Sequence, residues 1–323
     1  MIRGKSLIPI IALCLAIRTT AFFINLNNPY FNIFQDNYLA YAQELISGKL
    51  NAPNNMDSRL FPGYPLLIVA ISSLTSIQLI VSGLIVSVSS SILSILLLNI
   101  ISKNKVAVIL FSIFPPVWIM SSVKIATEPL TVFLLLISLY LFLKKKYFLA
   151  GLIVGAATSV RLISICLLAA FAITLARKNK NKILSLISGF AIPLFLFVIY
   201  NLVIFGNIFY QILLYPKIGG ASGSSIGILQ LIYDIPRSLD WHQYRIFLSG
   251  FSYIALCVIS SFILFKYQNK SDIFKISFYW ALFSLVFILS YGPSPLLEEF
   301  PRFLVPFMPA LIIGITAPFK KYE

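Results

Sequence analysis

Apolar residues fill most of this chain in long runs, and polar residues gather in short segments between the runs. About ten runs hold roughly 15 to 24 residues each, and a helix needs about 20 apolar residues to cross a bilayer. The pattern predicts an all-α, polytopic integral membrane protein with about ten transmembrane helices. Residues 1–323 are expected to form a single transmembrane domain with outer-face juxtamembrane helices.

The composition agrees with this prediction. Of the 323 residues, 59% are hydrophobic and 11% are charged, and the mean hydropathy is +0.94. A soluble domain is about half apolar and about a quarter charged. Ten crossings use about 200 residues, so no separate soluble domain larger than about 50 residues fits in the chain. The composition therefore excludes a soluble enzyme, a disordered chain and a protein with a single membrane anchor.

The net charge of +15 does not indicate a nucleic-acid partner, because of where the charges lie. Basic residues form short clusters between apolar runs, at positions 103–105, 144–146, 177–182, 266–275 and 320–321. This arrangement is typical of cytoplasmic loops under the positive-inside rule. It predicts outer loops at about residues 27–78, 121–128, 206–245 and 291–302. We expect the bacterial cytoplasmic membrane, with the functional site facing outward.

Two apolar stretches are not simple spans in this topology. Residues 61–75 are short and contain Pro62, Gly63 and Pro65 at their start. A span there would move every later basic cluster to the outside, so we expect a re-entrant or interfacial helix. Residues 147–176 have basic clusters at both ends, which predicts a short hairpin with Arg161 near its outer tip.

The first apolar run contains Arg18 and has no small-residue cleavage pattern, so we expect a retained helix. A cation inside such a run is costly in lipid. Arg18 should therefore face protein or water, pair with an outer-leaflet carboxylate, or lie near the outer end of a tilted helix. The chain has only three cysteines and one histidine, which argues against a disulfide framework or a His/Cys zinc site.

Acidic residues are concentrated on the predicted outer side. Eight of the ten lie there: Asp36, Glu44, Asp57, Glu128, Asp234, Asp240, Glu298 and Glu299. Acidic residues contribute little to topology, so the bias needs another cause. An outward-facing site that uses carboxylates is one cause, and longer, more polar outer loops are the alternative.

Asp36 opens a segment with the pattern of an amphipathic surface helix. Apolar residues recur at helical spacing between Leu39 and Ile46, and Gly48 ends the pattern. A carboxylate held at this membrane boundary can accept a proton from an acceptor hydroxyl or amine. Simple capping of the helix by Asp36 is the alternative.

Several motifs follow one another in an order that resembles the C-type (GT-C) membrane glycosyltransferases. The likeness is greatest to the branch of the protein O-mannosyltransferases and aminoarabinose transferases, and it covers residues 18–309. The motifs are Asp36 with Tyr38 just after the first helix, the segment 59–67 containing Arg59 and Tyr64, Thr127-Glu128-Pro129-Leu130, the segment 150–157 continuing to Arg161, and the segment 299–309 with Glu299 and Arg302. Glu128 departs from the family pattern, because the related enzymes often have Asp at this position.

The resemblance implies transfer of a sugar, with inversion, from a polyprenyl-phosphate carrier to a glycan, lipid or protein acceptor outside the cytoplasm. It implies that Asp36 is the base and that Glu128 assists. Arginine suits phosphate through bidentate contacts. The candidate donor-phosphate ligands are Arg59, Arg302, Arg161 and Arg245, with Tyr38, Tyr64 and Glu299 in supporting roles. Snorkelling or binding of ordinary lipid headgroups is the alternative for these arginines.

Glu128 has three possible roles at this point: it orients the acceptor, binds a divalent cation together with Asp36, or caps a helix that begins at Pro129. Oxygen ligands would favour Mg²⁺ or Mn²⁺, but the sequence does not establish a metal. Other classes remain open, namely a transporter or flippase, or a polymerase or ligase, for lipid-linked glycans. The chain has no internal repeat, and its charges lie at the boundaries, which disfavours a transporter. The expected partners are the donor lipid, the acceptor and membrane lipids.

Overall fold

The computed structural model describes residues 8–26, 37–48, 61–114, 116–176, 180–211, 244–291 and 301–319. Over these ranges the chain consists of α-helices with short 3₁₀ turns and contains no β-strand. The helices are α1 Ile8–Leu26, α2 Tyr38–Ser47, α3 Gly63–Thr75, α4 Leu79–Ser102, α5 Lys105–Ile113, α6 Pro116–Ser122, α7 Thr127–Leu143, α8 Tyr147–Thr158, α9 Ile165–Ala176, α10 Lys180–Phe205, α11 Tyr244–Tyr267, α12 Asp272–Tyr291 and α13 Pro301–Phe319.

Four helices within the described ranges, α4, α10, α12 and α13, are long and apolar enough to cross a membrane. Helices α5 and α6 add a fifth if they form one span, with a bend of 68° between them. Over the residues whose side chains are described, the other apolar helices have 10–17 residues. Helix α3 has 13 residues, which at about 1.5 Å per residue is well below the roughly 30 Å hydrocarbon core. The architecture is thus that of an all-α membrane protein with four or five candidate spans, and the count of about ten stays a prediction.

Helix α2 confirms the predicted amphipathic segment and corrects its beginning. Leu39 and Ala42 of the predicted apolar face are buried together with Tyr38 and Tyr41, whereas Ile46 of that face is exposed, as is Gln43. Gly48 ends the helix in the left-handed conformation (φ 66°), which glycine adopts without strain. The residue that precedes the helix in the N-cap position is Asn37, so the alternative in which Asp36 occupies the N-cap is wrong.

Helices α8 and α10 pack with their backbones in close contact. A Cβ atom added at Gly151 would lie 1.9 Å from the Leu186 carbonyl oxygen, and one at Gly189 would lie 2.0 Å from that of Phe148. Small residues at such positions let membrane helices approach closely. This contact anchors α8, whose C-terminal turn leads to Arg161.

Helix α7 lies in the middle of the described bundle. It contacts α4, α6, α8 and the start of α13, and its residues Leu135, Leu136 and Leu139 are fully buried. Near the C-terminal end of α7, Phe142 stacks on Phe171 of α9, with 4.0 Å between ring centroids. Because α7 is central, the residues at its N-terminus are surrounded by several other helix ends.

Candidate functional site at the start of helix α7

Glu128 lies in the first turn of α7 and is fully buried. The backbone at Ala126 is extended, and the helix begins at Thr127. An acidic residue in a first turn interacts favourably with the helix dipole, and the missing N–H of Pro129 costs nothing there. Because the helix begins at Thr127, with Ala126 in the N-cap position, the alternative in which Glu128 caps a helix that begins at Pro129 is wrong.

Two arginines donate to the same oxygen of Glu128. Arg161 Nη1 and Arg302 Nε both contact Oε1, the latter at 2.6 Å. Arg161 lies in the turn after α8, and Arg302 lies in the first turn of α13, so the carboxylate joins three separate parts of the chain. Burial disfavours a charged carboxylate, but two adjacent guanidinium groups favour it. We therefore expect Glu128 to be ionised.

Lys124 adds a third cation to this cluster. It lies in the link between α6 and α7, is half-buried, and is close enough to Arg302 and Glu128 to be affected by their charges. Burial and the nearby Arg302 lower the pKa of Lys124, and Glu128 acts in the opposite direction. Among the described side chains, Lys124, Arg161 and Arg302 thus surround one carboxylate, and these three residues form a cation cluster.

Aromatic residues line the same region. The ring centroid of Phe303 lies 5.6 Å from the guanidinium carbon of Arg161, within the range of a cation–π contact. Tyr38 and Tyr64 meet edge to face, with 5.5 Å between centroids. The Tyr64 hydroxyl lies 2.9 Å from Ser87 Oγ, which in turn lies 3.3 Å from the carbonyl oxygen of Ala126, two residues before Glu128. Helices α2, α3 and α4 are thus linked to the start of α7.

The start of α3 also reaches the turn that carries Arg161. The backbone N–H of Gly63 donates to the Ser159 carbonyl at 2.9 Å. A Cβ atom at this position would lie 2.7 Å from the same oxygen, so only glycine allows this approach. The short helix α3 therefore packs beside the cation cluster and supports the Arg161 turn.

The structure brings together three of the predicted site residues, Glu128, Arg161 and Arg302, and pairs the two supporting tyrosines with each other. Asp36, Arg59 and Glu299 lie outside the described residues, and Arg245 lies in α11 with its side chain outside them. Lys124 was not among the predicted site residues. The sequence marks it in one way only: it is a lone lysine four residues before Glu128, in a predicted outer loop, where the positive-inside rule does not favour basic residues.

The described residues around Glu128 do not fit a divalent cation. An ion beside this carboxylate would face two guanidinium groups and an ammonium group, and like charges repel. No group of three or more His, Cys, Asp or Glu side chains suitable for a metal occurs in the part of the chain that the structure describes. The arrangement is instead suited to an anion, because guanidinium groups bind phosphate and carboxylate with charge-assisted hydrogen bonds.

Comparison with known proteins adds no relative to this description. No protein-family model, curated protein or solved structure matches the chain. The fold and the site define the class as an all-α membrane protein with a buried, cation-rich site at the ends of its helices. Any function must therefore be argued from these residues.

Proposed function

We propose that the protein is an inverting membrane glycosyltransferase of the C-type kind, with about ten transmembrane helices and an extracytoplasmic active site. It transfers a sugar from a polyprenyl-phosphate donor to a glycan, lipid or protein acceptor. The observation that supports this function is the cation cluster of Lys124, Arg161 and Arg302 around the buried Glu128. A phosphate attached to a lipid needs cationic ligands next to apolar helices, and this cluster offers both.

The charge of the cluster suits the leaving group in particular. The donor is a phosphodiester with one negative charge. When the bond between the sugar and the phosphate oxygen breaks, the electron pair stays on that oxygen, and the product is a phosphomonoester with a charge of about −1.5 to −2 at pH 7. The positive charges of Lys124, Arg161 and Arg302 stabilise this product more than the donor, which is how fixed charges accelerate such a step.

Glu128 is proposed to be a positioning residue. Both guanidinium groups bind one of its oxygens, so it holds Arg161 and Arg302 in place beside the phosphate. The base is proposed to be Asp36, which takes the proton of the acceptor hydroxyl or amine while the new bond to the sugar forms. Arg59 and Arg245 are proposed as further phosphate contacts, and Tyr38, Tyr64 and Glu299 as supporting residues.

The test is sugar transfer by the purified full-length chain in lipid nanodiscs. A panel of radiolabelled polyprenyl-phosphate hexoses and pentoses is supplied with membrane extract as the source of acceptor, and the released polyprenyl phosphate is measured. We expect Asp36→Asn to bind the donor but to lose transfer, and Arg161→Gln and Arg302→Gln to weaken donor binding. Lys146→Gln, at an exposed lysine between α7 and α8, is the control.

Two outcomes would contradict the proposal. Full transfer by Asp36→Asn would remove this residue from the mechanism, and donor binding of wild-type strength in both arginine variants would remove the cluster. Movement of the intact donor across the membrane of a proteoliposome, without cleavage, would instead identify a flippase. Joining of whole lipid-linked glycans would identify a polymerase or ligase.

A further inference from the structure

Another cation, Arg18, is buried in the middle of α1 and has no part in the proposed reaction. The residue is 2% exposed. Its Nε donates to Ser91 Oγ at 3.0 Å, and its Nη1 donates to the Cys14 carbonyl at 3.2 Å. The guanidinium carbon lies 5.9 Å from the ring centroid of Trp118. These contacts fix the orientation of the guanidinium group between α1, α4 and α6.

The remaining nitrogen of Arg18 is buried without a hydrogen-bond partner among the described residues. This atom is Nη2, and none of the contacts of Arg18 within those residues is to a carboxylate. A buried cation without a counter-ion is strongly disfavoured in an apolar bundle. The predicted pairing with an outer-leaflet carboxylate is therefore not found within the described part of the chain, and an anion from outside the chain would satisfy the free donor.

Arg18 also lines a pocket. The pocket has a volume of about 220 Å³, and its other lining residues are Leu15, Thr19, Phe22, Leu84, Val88 and Val123. Leu15 and Thr19 are exposed, so the pocket opens on the face of α1 that is turned away from the other helices and is available to lipid. Val123 lies in the link after α6, so the pocket reaches the level at which helices end. A water molecule takes about 30 Å³, so there is room for a headgroup phosphate and several methylene groups.

We propose that this pocket, between α1 and α4, binds an anionic phospholipid of the bilayer. The phosphate pairs with the guanidinium group of Arg18, which lines the pocket, and the start of an acyl chain lies against Leu15 and Phe22. The ligand is amphiphilic because the pocket pairs one cationic donor with an almost wholly apolar lining. None of the residues that line the pocket belongs to the cation cluster, and the proposal does not depend on the proposed glycosyltransferase reaction.

Trp118 provides a spectroscopic probe next to Arg18. The full-length chain carrying Trp241→Phe and Trp280→Phe keeps Trp118 as its only tryptophan. This protein is placed in nanodiscs containing either brominated phosphatidylglycerol or brominated phosphatidylcholine, and quenching of Trp118 fluorescence is titrated. We expect phosphatidylglycerol to bind about fivefold more tightly, the factor that corresponds to about 1 kcal/mol per basic side chain near anionic lipid.

Three variants test the assignment. Arg18→Gln should remove the preference for phosphatidylglycerol. Val88→Phe, which fills the pocket and leaves Arg18 unchanged, should remove it as well, and it keeps the proposal testable if Arg18→Gln does not fold. Arg302→Gln should retain the preference, because that side chain belongs to the cation cluster.

Several results would overturn the proposal. Equal quenching by both lipids, a preference that survives in Arg18→Gln and Val88→Phe, or a preference that disappears in Arg302→Gln would each do so. A separate titration with unbrominated polyprenyl phosphate distinguishes the two sources of lipid phosphate. Recovery of fluorescence at lower concentrations of polyprenyl phosphate than of unbrominated phosphatidylglycerol would assign the pocket to the carrier lipid and would refute the phospholipid assignment.

Discussion

The buried ion pairs of Glu128 predict a strong and non-additive effect on stability. Removal of one partner from a buried pair costs about 3–5 kcal/mol, because the other charge stays buried and unpaired. Glu128→Gln removes a buried ion pair from both Arg161 and Arg302, so we expect a loss of unfolding free energy near the upper end of that range. Arg302→Gln should cost less, about 1–3 kcal/mol, because Arg161 still pairs with the carboxylate and because the Arg302 side chain is 20% exposed.

The double variant with Glu128→Gln and Arg302→Gln measures the coupling energy between these two residues. Once Glu128 is neutral, Arg302→Gln no longer breaks this ion pair, so the double variant should lose less stability than the sum of the single variants, by about 0.5–3 kcal/mol. The assay is reversible denaturant unfolding of the purified protein in mixed micelles, followed by tryptophan fluorescence. Lys146→Gln should change stability by no more than about 0.5 kcal/mol. Additive effects, or an effect of Glu128→Gln no larger than that of the control, would refute the ion-pair argument.

The helix packing and the cluster support three more expectations. Gly189→Ala should destabilise the protein by about 1–3 kcal/mol in the same unfolding assay, because its Cβ would lie 2.0 Å from a backbone oxygen of α8, whereas the neighbouring exposed Ser188→Ala should have little effect. Tyr64→Phe, which removes the hydroxyl near Ser87, should cost about 0.5–1.5 kcal/mol, and no measurable change would contradict that hydrogen bond. Lys124 loses its positive charge as the pH rises through its lowered pKa, so polyprenyl-phosphate affinity measured by calorimetry should weaken at a lower pH than for an ordinary lysine. Lys124→Arg should remove this alkaline loss, and an unchanged pH profile would exclude Lys124 as a phosphate ligand.

The helical class and several element boundaries could be predicted from local pattern. Continuous apolar runs favour helices in a bilayer because every backbone group must be satisfied within its own segment. Gly48 ended α2 as expected, since it takes a left-handed conformation that other residues avoid. The N-cap was assigned one residue too early, because Asp36 and Asn37 are both good N-caps and their order along the chain does not distinguish them.

The grouping of the site residues depended on the tertiary structure. Arg161 and Arg302 are 33 and 174 positions away from Glu128, so no periodic pattern links them. The motifs marked all three residues as candidates but assigned Glu128 to catalysis and did not predict that it pairs with Arg161 and Arg302. Which guanidinium groups meet the carboxylate is decided by how α7, the α8–α9 turn and α13 pack.

Arg18 shows the same difference between what the sequence predicts and what the tertiary structure decides. A cation inside an apolar run already required an environment other than lipid. Only the packing of α1 against α4 and α6 supplied Ser91 and Trp118 as its neighbours and left one buried nitrogen without a hydrogen-bond partner among the described residues. Hydrophobic burial is non-directional, so an apolar pattern predicts which segments leave water. Hydrogen bonds and ion pairs require specific distances and angles, and these exist only once the helices are assembled.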